Sequence, residues 1–215
     1  IISTTSVSGY IPYVDPERTG SPITKSTGNQ IFESKELGVS FSVPIGWSLE
    51  QSPQTTEDAP NVLAIGPKAG GINPYISLTI KDVKGKTIDD LILEKNNFLA
   101  EAVYLNKLEI LAQKLIKTNV YQVEAIGNFK VNDLPLKIKY VEVMILSEQT
   151  AYYFAYGNIL DNFNNDLPKF QKALDSFEIA SQEDIVKTSV ETSTEEGGGC
   201  LIATATYGSE LAPQV

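Results

Sequence analysis

The sequence predicts an α+β fold in which two amphipathic helices pack on a mostly antiparallel sheet. Three observations carry that prediction. Residues 39–43 and 75–83 alternate apolar and polar side chains with the period of a strand that buries one face. Residues 108–158 hold several long strand-like runs separated by short polar turns, the mark of an antiparallel meander. Two further stretches, starting at Thr87 and at Leu167, place apolar residues at helical spacing.

The organising stretch is residues 37–47. Val39, Phe41 and Val43 alternate with Ser40 and Ser42, and Pro44 removes a backbone donor where ladder pairing should stop. Gly46 lets the chain turn, so that Trp47, the only tryptophan, folds back onto the core. Residues 62–65 read as a short buried strand, punctuated by the loop residues 66–71. In the strand at 75–83, Ile76, Leu78 and Ile80 are expected inward and Ser77, Thr79 and Lys81 outward. Thr87 caps the first helix, with Asp89 and Asp90 at the positive end of its dipole. Ile88, Leu91, Ile92, Phe98, Leu99, Ala102 and Val103 form its apolar stripe, which Lys95 alone interrupts, and its end is expected near Asn106. In the meander, Asn132-Asp133 and Glu148-Gln149 read as hairpin turns. The last helix is expected over residues 167–177, capped by Asp166, with Pro168 in its first turn and Leu167, Phe170, Leu174 and Phe177 on one face. Every periodic apolar element thus lies within residues 31–180.

Composition narrows the function. The 215 residues are 42% hydrophobic, enough for one good core with residues left for tails. A net charge of −10 argues against nucleic acid and against anionic membrane surfaces. The absence of histidine removes the commonest general base and transition-metal ligand, and a single cysteine, Cys200, permits neither an internal disulfide nor a cysteine-only zinc site. No window approaches the ~20 apolar residues of a membrane-spanning helix. Residues 1–30, with ten Ser or Thr, three Pro and three Gly, read as an arm or linker anchored by Tyr10, Ile11 and Tyr13. Residues 181–199 carry five acidic residues against one lysine before three glycines, a solvated linker. Residues 200–215 open with an abrupt run of apolar and small side chains.

Two stretches carry family resemblances. The motif Ser-Val-Pro-Ile-Gly-Trp at 42–47, the strand and helix order after it, and the closing Leu-Pro-x-Phe-x-x-x-Leu-x-Ser-Phe at 167–177 resemble the PsbP family. That family holds extrinsic proteins of the photosynthetic oxygen-evolving complex and distant non-photosynthetic relatives, archaeal exported ones among them. The resemblance covers residues 31–180 and implies an α-β-α sandwich. No residue here matches the functional motifs of the plant members, so their metal and photosystem roles are not implied. Residues 197–214 resemble the Cys-Phe-Ile box near the C-termini of many archaeal and bacterial surface proteins, with Leu201 in place of the usual Phe. In those proteins more sequence follows, often hydrophobic and membrane-anchoring, which implies a membrane association only through sequence beyond Val215.

Candidate sites weigh as follows. Lys84-Gly85-Lys86-Thr87 ends like a phosphate loop, but the glycine that such a loop needs five residues before Gly85 is Ile80, and a helix-capping turn accounts for the residues. The oxygen-rich run at 161–166 places Phe163 where a calcium loop needs Asp or Asn, and helix capping accounts for it. Tyr152, Tyr153 and Tyr156 form either an interaction surface or half-buried core. Cys200, after a polar linker, is expected to be modified, in an intermolecular contact, or packed against missing C-terminal sequence; a buried core cysteine is the alternative. No Ser-His or Cys-His pair is possible, and the adjacent pairs Asp89/Asp90 and Glu195/Glu196 do not converge for acid–base work. The expectation is therefore a non-catalytic, exported module without cofactor. It would bind other cell-surface proteins or its own copies; alternatively it is a structural subunit of an extracellular assembly, adding its N-terminal arm to a neighbour's sheet edge.

Overall fold

A computed structural model describes residues 30–51, 59–68, 72–131 and 134–180. The described elements all lie in the first of the chain's two units, Ile1–Ile179; of the second, Ala180–Val215, only Ala180 is described. Ten strands are formed: β1 Gln30–Ser34, β2 Val39–Val43, β3 Ser48–Gln51, β4 Val62–Ile65, β5 Tyr75–Asp82, β6 Leu108–Lys117, β7 Val120–Val131, β8 Leu134–Ser147, β9 Thr150–Ile159 and β10 Glu178–Ile179. Helix α1 is Ile88–Tyr104, and α2, Phe163–Asp175, follows a short 3-10 turn at Leu160–Asn162. A large sheet runs β3-β4-β5-β9-β8-β7-β6 and a small one β1-β2-β10, every pair antiparallel. The fold class expected from the sequence is the one observed.

The two faces of the large sheet bury different things. On one, Ile76 and Leu78 of β5, Val141 and Val143 of β8, and Tyr152, Phe154 and Tyr156 of β9 pack against β2 and α2. On the other, Tyr121, Val123 and Ala125 of β7 and Tyr140 and Met144 of β8 pack under α1. The expectation for β5 is corrected: Ser77 and Thr79 are buried, not solvent-facing.

The stretch around β2 behaves as its residues dictate. Val39, Phe41 and Val43 are buried, with Phe41 paired to Phe32 across the small sheet. After Pro44 the chain turns, Gly46 taking a φ of +78° that a side chain would oppose and the Trp47 amide donating to the Pro44 carbonyl at 3.1 Å. Trp47 is wholly buried. Its ring rests on Gly66, where an added Cβ would stand 2.7 Å from Cε2.

Three features depart from the sequence reading. Strands β3 and β10 are too short to show a period. Helix α2 begins at Phe163, ahead of the expected start, because Phe163 itself is buried against Tyr156 with ring centroids 4.9 Å apart. Asp166 is therefore no cap; it sits within the helix, accepts from Asn158 Nδ2 at 3.2 Å and pairs with Lys169 at 2.6 Å. Pro168 accordingly lies beyond the first turn. Of the meander turns, Ser147 and Thr150 pair across Glu148-Gln149 as expected, while the turn at 132–133 lies outside the described residues between paired Val131 and Leu134. The arm at 1–29, the linker at 181–199 and the segment 200–215 with Cys200 also lie outside them.

Replacing Trp47 with Ala is expected to cost about 3–5 kcal/mol, the usual loss for a buried large aromatic. Denaturant unfolding measures it, and a loss below about 1 kcal/mol would contradict the packing described.

Candidate interaction surface

The residue that breaks the apolar stripe of α1 explains how that helix is held. Thr87 and Asp90 form a reciprocal cap, the Asp90 amide donating to Thr87 Oγ1 at 3.3 Å and the Thr87 amide to Asp90 Oδ2 at 2.8 Å. The Thr87 hydroxyl, donating to Asp90 Oδ2 at 2.7 Å, and then the Thr87 amide hold the Asp90 carboxyl below its ordinary range. Two turns on, Lys95 reaches Glu142 on β8, Nζ to Oε1 2.6 Å, with side chains only 10% and 2% exposed. A charge placed there alone would be severely destabilising; the pair is tolerated because each ion has the other. Nearby Tyr140 has its phenol pushed well up, first by burial and then by the Glu142 carboxylate. Further along, Gln113 Nε2 of β6 donates to Asn96 Oδ1 at 2.6 Å and to the Tyr121 hydroxyl at 2.9 Å, and that hydroxyl donates to Asn96 Oδ1 at 3.1 Å. Polar contacts therefore seat α1 over β6, β7 and β8.

That placement leaves an exposed apolar edge. Among the described strands β6 pairs only with β7 and forms one margin of the large sheet. Eleven large hydrophobic side chains are exposed among the described residues, and seven of them (Leu93, Val103, Tyr104, Leu105, Leu111, Leu115, Ile116) belong to α1, the turn after it and β6. Leu93, Asn96 and Val103 recur at helical spacing, and Asn96 faces β6, so this flank of α1 borders the open strand. Such clustering marks an interaction site better than scattered exposure does. The opposite margin, β3, is only four residues long.

The residues singled out in the sequence fall elsewhere. Tyr152 and Tyr156 are buried and face α2, whereas Tyr153 points to the α1 face, so strand alternation prevents the three from forming one surface. The Tyr156 hydroxyl donates to the Phe163 carbonyl at 2.7 Å, a structural task. In the loop resembling a phosphate site, Lys84 pairs with Asp82 at 2.8 Å and Lys86 with Glu94 at 2.8 Å, while Thr87 caps α1. Asp161 lies in the 3-10 turn, and among the described residues no three Asp, Glu, His or Cys side chains are grouped to hold a metal. Nor is any described helix long and apolar enough to cross a membrane. Sequence reasoning passed over Glu142. Its signal was a carboxylate inside the apolar run of β8, matching the one cation inside the stripe of α1.

Two measurements follow. Lys95→Met should destabilise by about 3–5 kcal/mol by stranding Glu142, and adding Glu142→Leu should recover most of that loss; a double variant as unstable as the single would show that the pair does not seat α1. Burial also raises the Tyr156 phenol, opposed by its hydrogen bond with Asn158. Tyr140 and Tyr156 thus resist ionising while folded, whereas an unfolded tyrosine ionises near pH ~10. Their contribution is intact below that pH and is lost as pH rises above it. The denaturation midpoint should therefore fall above about pH 10, and Tyr140→Phe should weaken the fall; a midpoint flat into strong alkali would refute the assignment.

No family profile matches the sequence, and no curated protein is similar to it. Among solved structures, cyanobacterial PsbP (CyanoP) from Synechocystis aligns with a TM-score of 0.53 at 15% identity, covering 75% of this chain and 98% of that one. LpqN, involved in cell envelope biogenesis of Mycobacterium tuberculosis, aligns at 0.43 with 13% identity over 76% of this chain and 88% of its own. A protein from Bacteroides thetaiotaomicron aligns at 0.44 with 12% identity over 73% of this chain and 50% of its own. The first of these likenesses reaches the level of a common fold, and the fold of this chain is PsbP-like.

Proposed function

We propose that this chain is a non-catalytic, exported module that works at the cell surface by docking other surface proteins or its own copies. The carrying observation is the apolar edge made by α1 and β6, where seven of the eleven exposed large hydrophobics of the described residues collect. Three further points support the reading. The sequence offers no histidine and one cysteine for chemistry. The buried ions Lys95 and Glu142 serve to seat a helix. The sandwich resembles CyanoP in fold, although a fold alone assigns no activity. Within the segment 200–215, Cys200 would serve retention at the surface through a modification or an intermolecular contact. A second reading, a structural subunit joined by strand addition, is favoured by the length and openness of β6.

The test is retention. Full-length protein carrying Tyr104→Asp and Leu115→Asp, both exposed positions, should be released from the cell envelope into the medium while its melting temperature stays unchanged. Wild-type retention of that variant would sink the docking proposal. Release caused only by Cys200→Ser would move the function to the C-terminal segment.

A further inference from the structure

We infer that the open edge of β6 receives residues 7–14 of a second copy's N-terminal segment as an added strand. This rests on the reading of the protein as a docking module and names both partner and acceptor. β6 has ten residues and, among the described strands, a partner on one side only, yet its pairing with β7 is interrupted by register shifts between Ile110 and Ala112 and between Leu115 and Lys117. Bulges of this kind protect an edge from indiscriminate pairing. Between them lies the longest regular stretch, Ala112, Gln113, Lys114 and Leu115, opposite Glu124, Val123, Gln122 and Tyr121. A short guest strand fits it, with alternate side chains reaching Leu115 and the α1 flank carrying Leu93 and Val103. Backbone hydrogen bonds would supply the affinity and that apolar border the selection.

The occupant follows from charge and pattern. A second β6 is a poor guest, since Lys114 and Lys117 of both copies would crowd one short interface. Residues 1–14 contain no charged residue. Within them Val7, Gly9, Ile11 and Tyr13 alternate with Ser8, Tyr10, Pro12 and Val14. Pro12 excludes a central strand but suits a guest paired on one side only. The residues between Val14 and β1, if extended, span roughly 50 Å at about 3.3 Å each, sufficient to cross to a neighbour. β1, to which that segment is joined, belongs to the small sheet, packed against the face of the large sheet opposite α1, which favours a neighbour's β6 over the chain's own. Donation in trans is heterologous, each copy giving at one surface and receiving at another, and therefore builds open chains of subunits.

Cross-linking of full-length protein tests this in a Cys200→Ser background. One preparation carries Val7→Cys, Ile11→Cys or Tyr13→Cys; the other carries Leu115→Cys or, as a second acceptor position, Leu111→Cys. Mixed and oxidised, at least one arm–β6 combination should give a disulfide-linked dimer of the two variants. Leu160→Cys, exposed and distant in sequence from β6, should give none. The dimer should disappear when the arm also carries Tyr10→Asp and Val14→Asp. Three results would overturn the inference: no dimer in any combination, dimers from the β6 variants alone, or equal dimer with Leu160→Cys. If cross-linking fails while Tyr104→Asp with Leu115→Asp still releases the protein from cells, docking stands with a foreign partner; if both fail, both proposals fall.

Discussion

The aromatic cluster around Phe154 is the contact on which the rest of this fold depends. Phe154 sits on β9, near the middle of the large sheet, with no measurable exposure. Phe41 of β2 meets it edge-on at 5.1 Å, Phe170 of α2 stacks at 5.6 Å, and Phe177 packs at 5.4 Å. The small sheet, α2 and the chain leaving α2 are thereby all fastened to one residue. Each such pair contributes about 0.5–1.5 kcal/mol beyond the area it buries. Polar contacts then fix the geometry: Ser176 Oγ accepts from the Ser42 amide at 2.8 Å and donates to the Ala173 carbonyl at 3.0 Å, tying the end of α2 to the middle of β2. Once β9 commits its even-numbered side chains to this cluster, strand alternation commits Ala151, Tyr153 and Ala155 to the opposite face.

That second face is built on a different principle. Its helix is centred on an ion pair, and beside the pair lies Tyr140 as well as apolar groups. Replacing a buried pair by hydrocarbon is often neutral or stabilising, so Lys95 and Glu142 contribute less to net stability than to position. A helix carrying Leu91, Leu99 and Ala102 alone could slide along a flat sheet. One with a charge at Lys95 has a single seat, and Asn96 fixes its rotation through Gln113 and Tyr121. The aromatic face thus supplies cohesion and the polar face supplies register.

This division explains what the sequence revealed. Periodic signals survive where one face of an element is apolar and the other wet, so β2, α1 and the strands of the meander are legible from residue pattern alone. The motif residues of 42–47 and 167–177 also make physical sense, since Trp47, Phe170, Ser176 and Phe177 each make a contact that closes the aromatic face. The pattern misleads where both faces are covered. Ser77 and Thr79 look solvent-facing by alternation with Ile76 and Leu78 and are nonetheless buried, which no local window records. The start of α2 is misplaced for the same reason: Phe163 joins the helix to reach Tyr156, a partner outside its own segment. As for the candidate site, the tyrosines that stand out in the sequence are spent on the core. The residues of the exposed edge carry no motif, because Leu111, Leu115 and Ile116 differ from core leucines and isoleucines only in having no layer above them.

The two margins of the large sheet bring fold and function together. At one, β3 ends the sheet in four residues and follows directly from the buried Trp47. At the other, β6 runs for ten residues, carries two bulges and two edge lysines, and is bordered by apolar side chains of α1. A sheet that merely needed to avoid aggregation would shorten or charge both margins. Here one margin is shortened and the other is guarded but left open, with its guards placed at either end of a short regular stretch. Bulges and lysines raise the cost of pairing with an arbitrary strand, while the adjoining apolar flank lowers it for a strand of suitable alternation. If the proposed docking takes place there, its selectivity would come from that difference, because specificity is the gap between wanted and unwanted pairings and not the strength of either. The helix that borders this open margin is held by the Lys95–Glu142 pair, so the position of the exposed apolar edge depends on the buried polar seat.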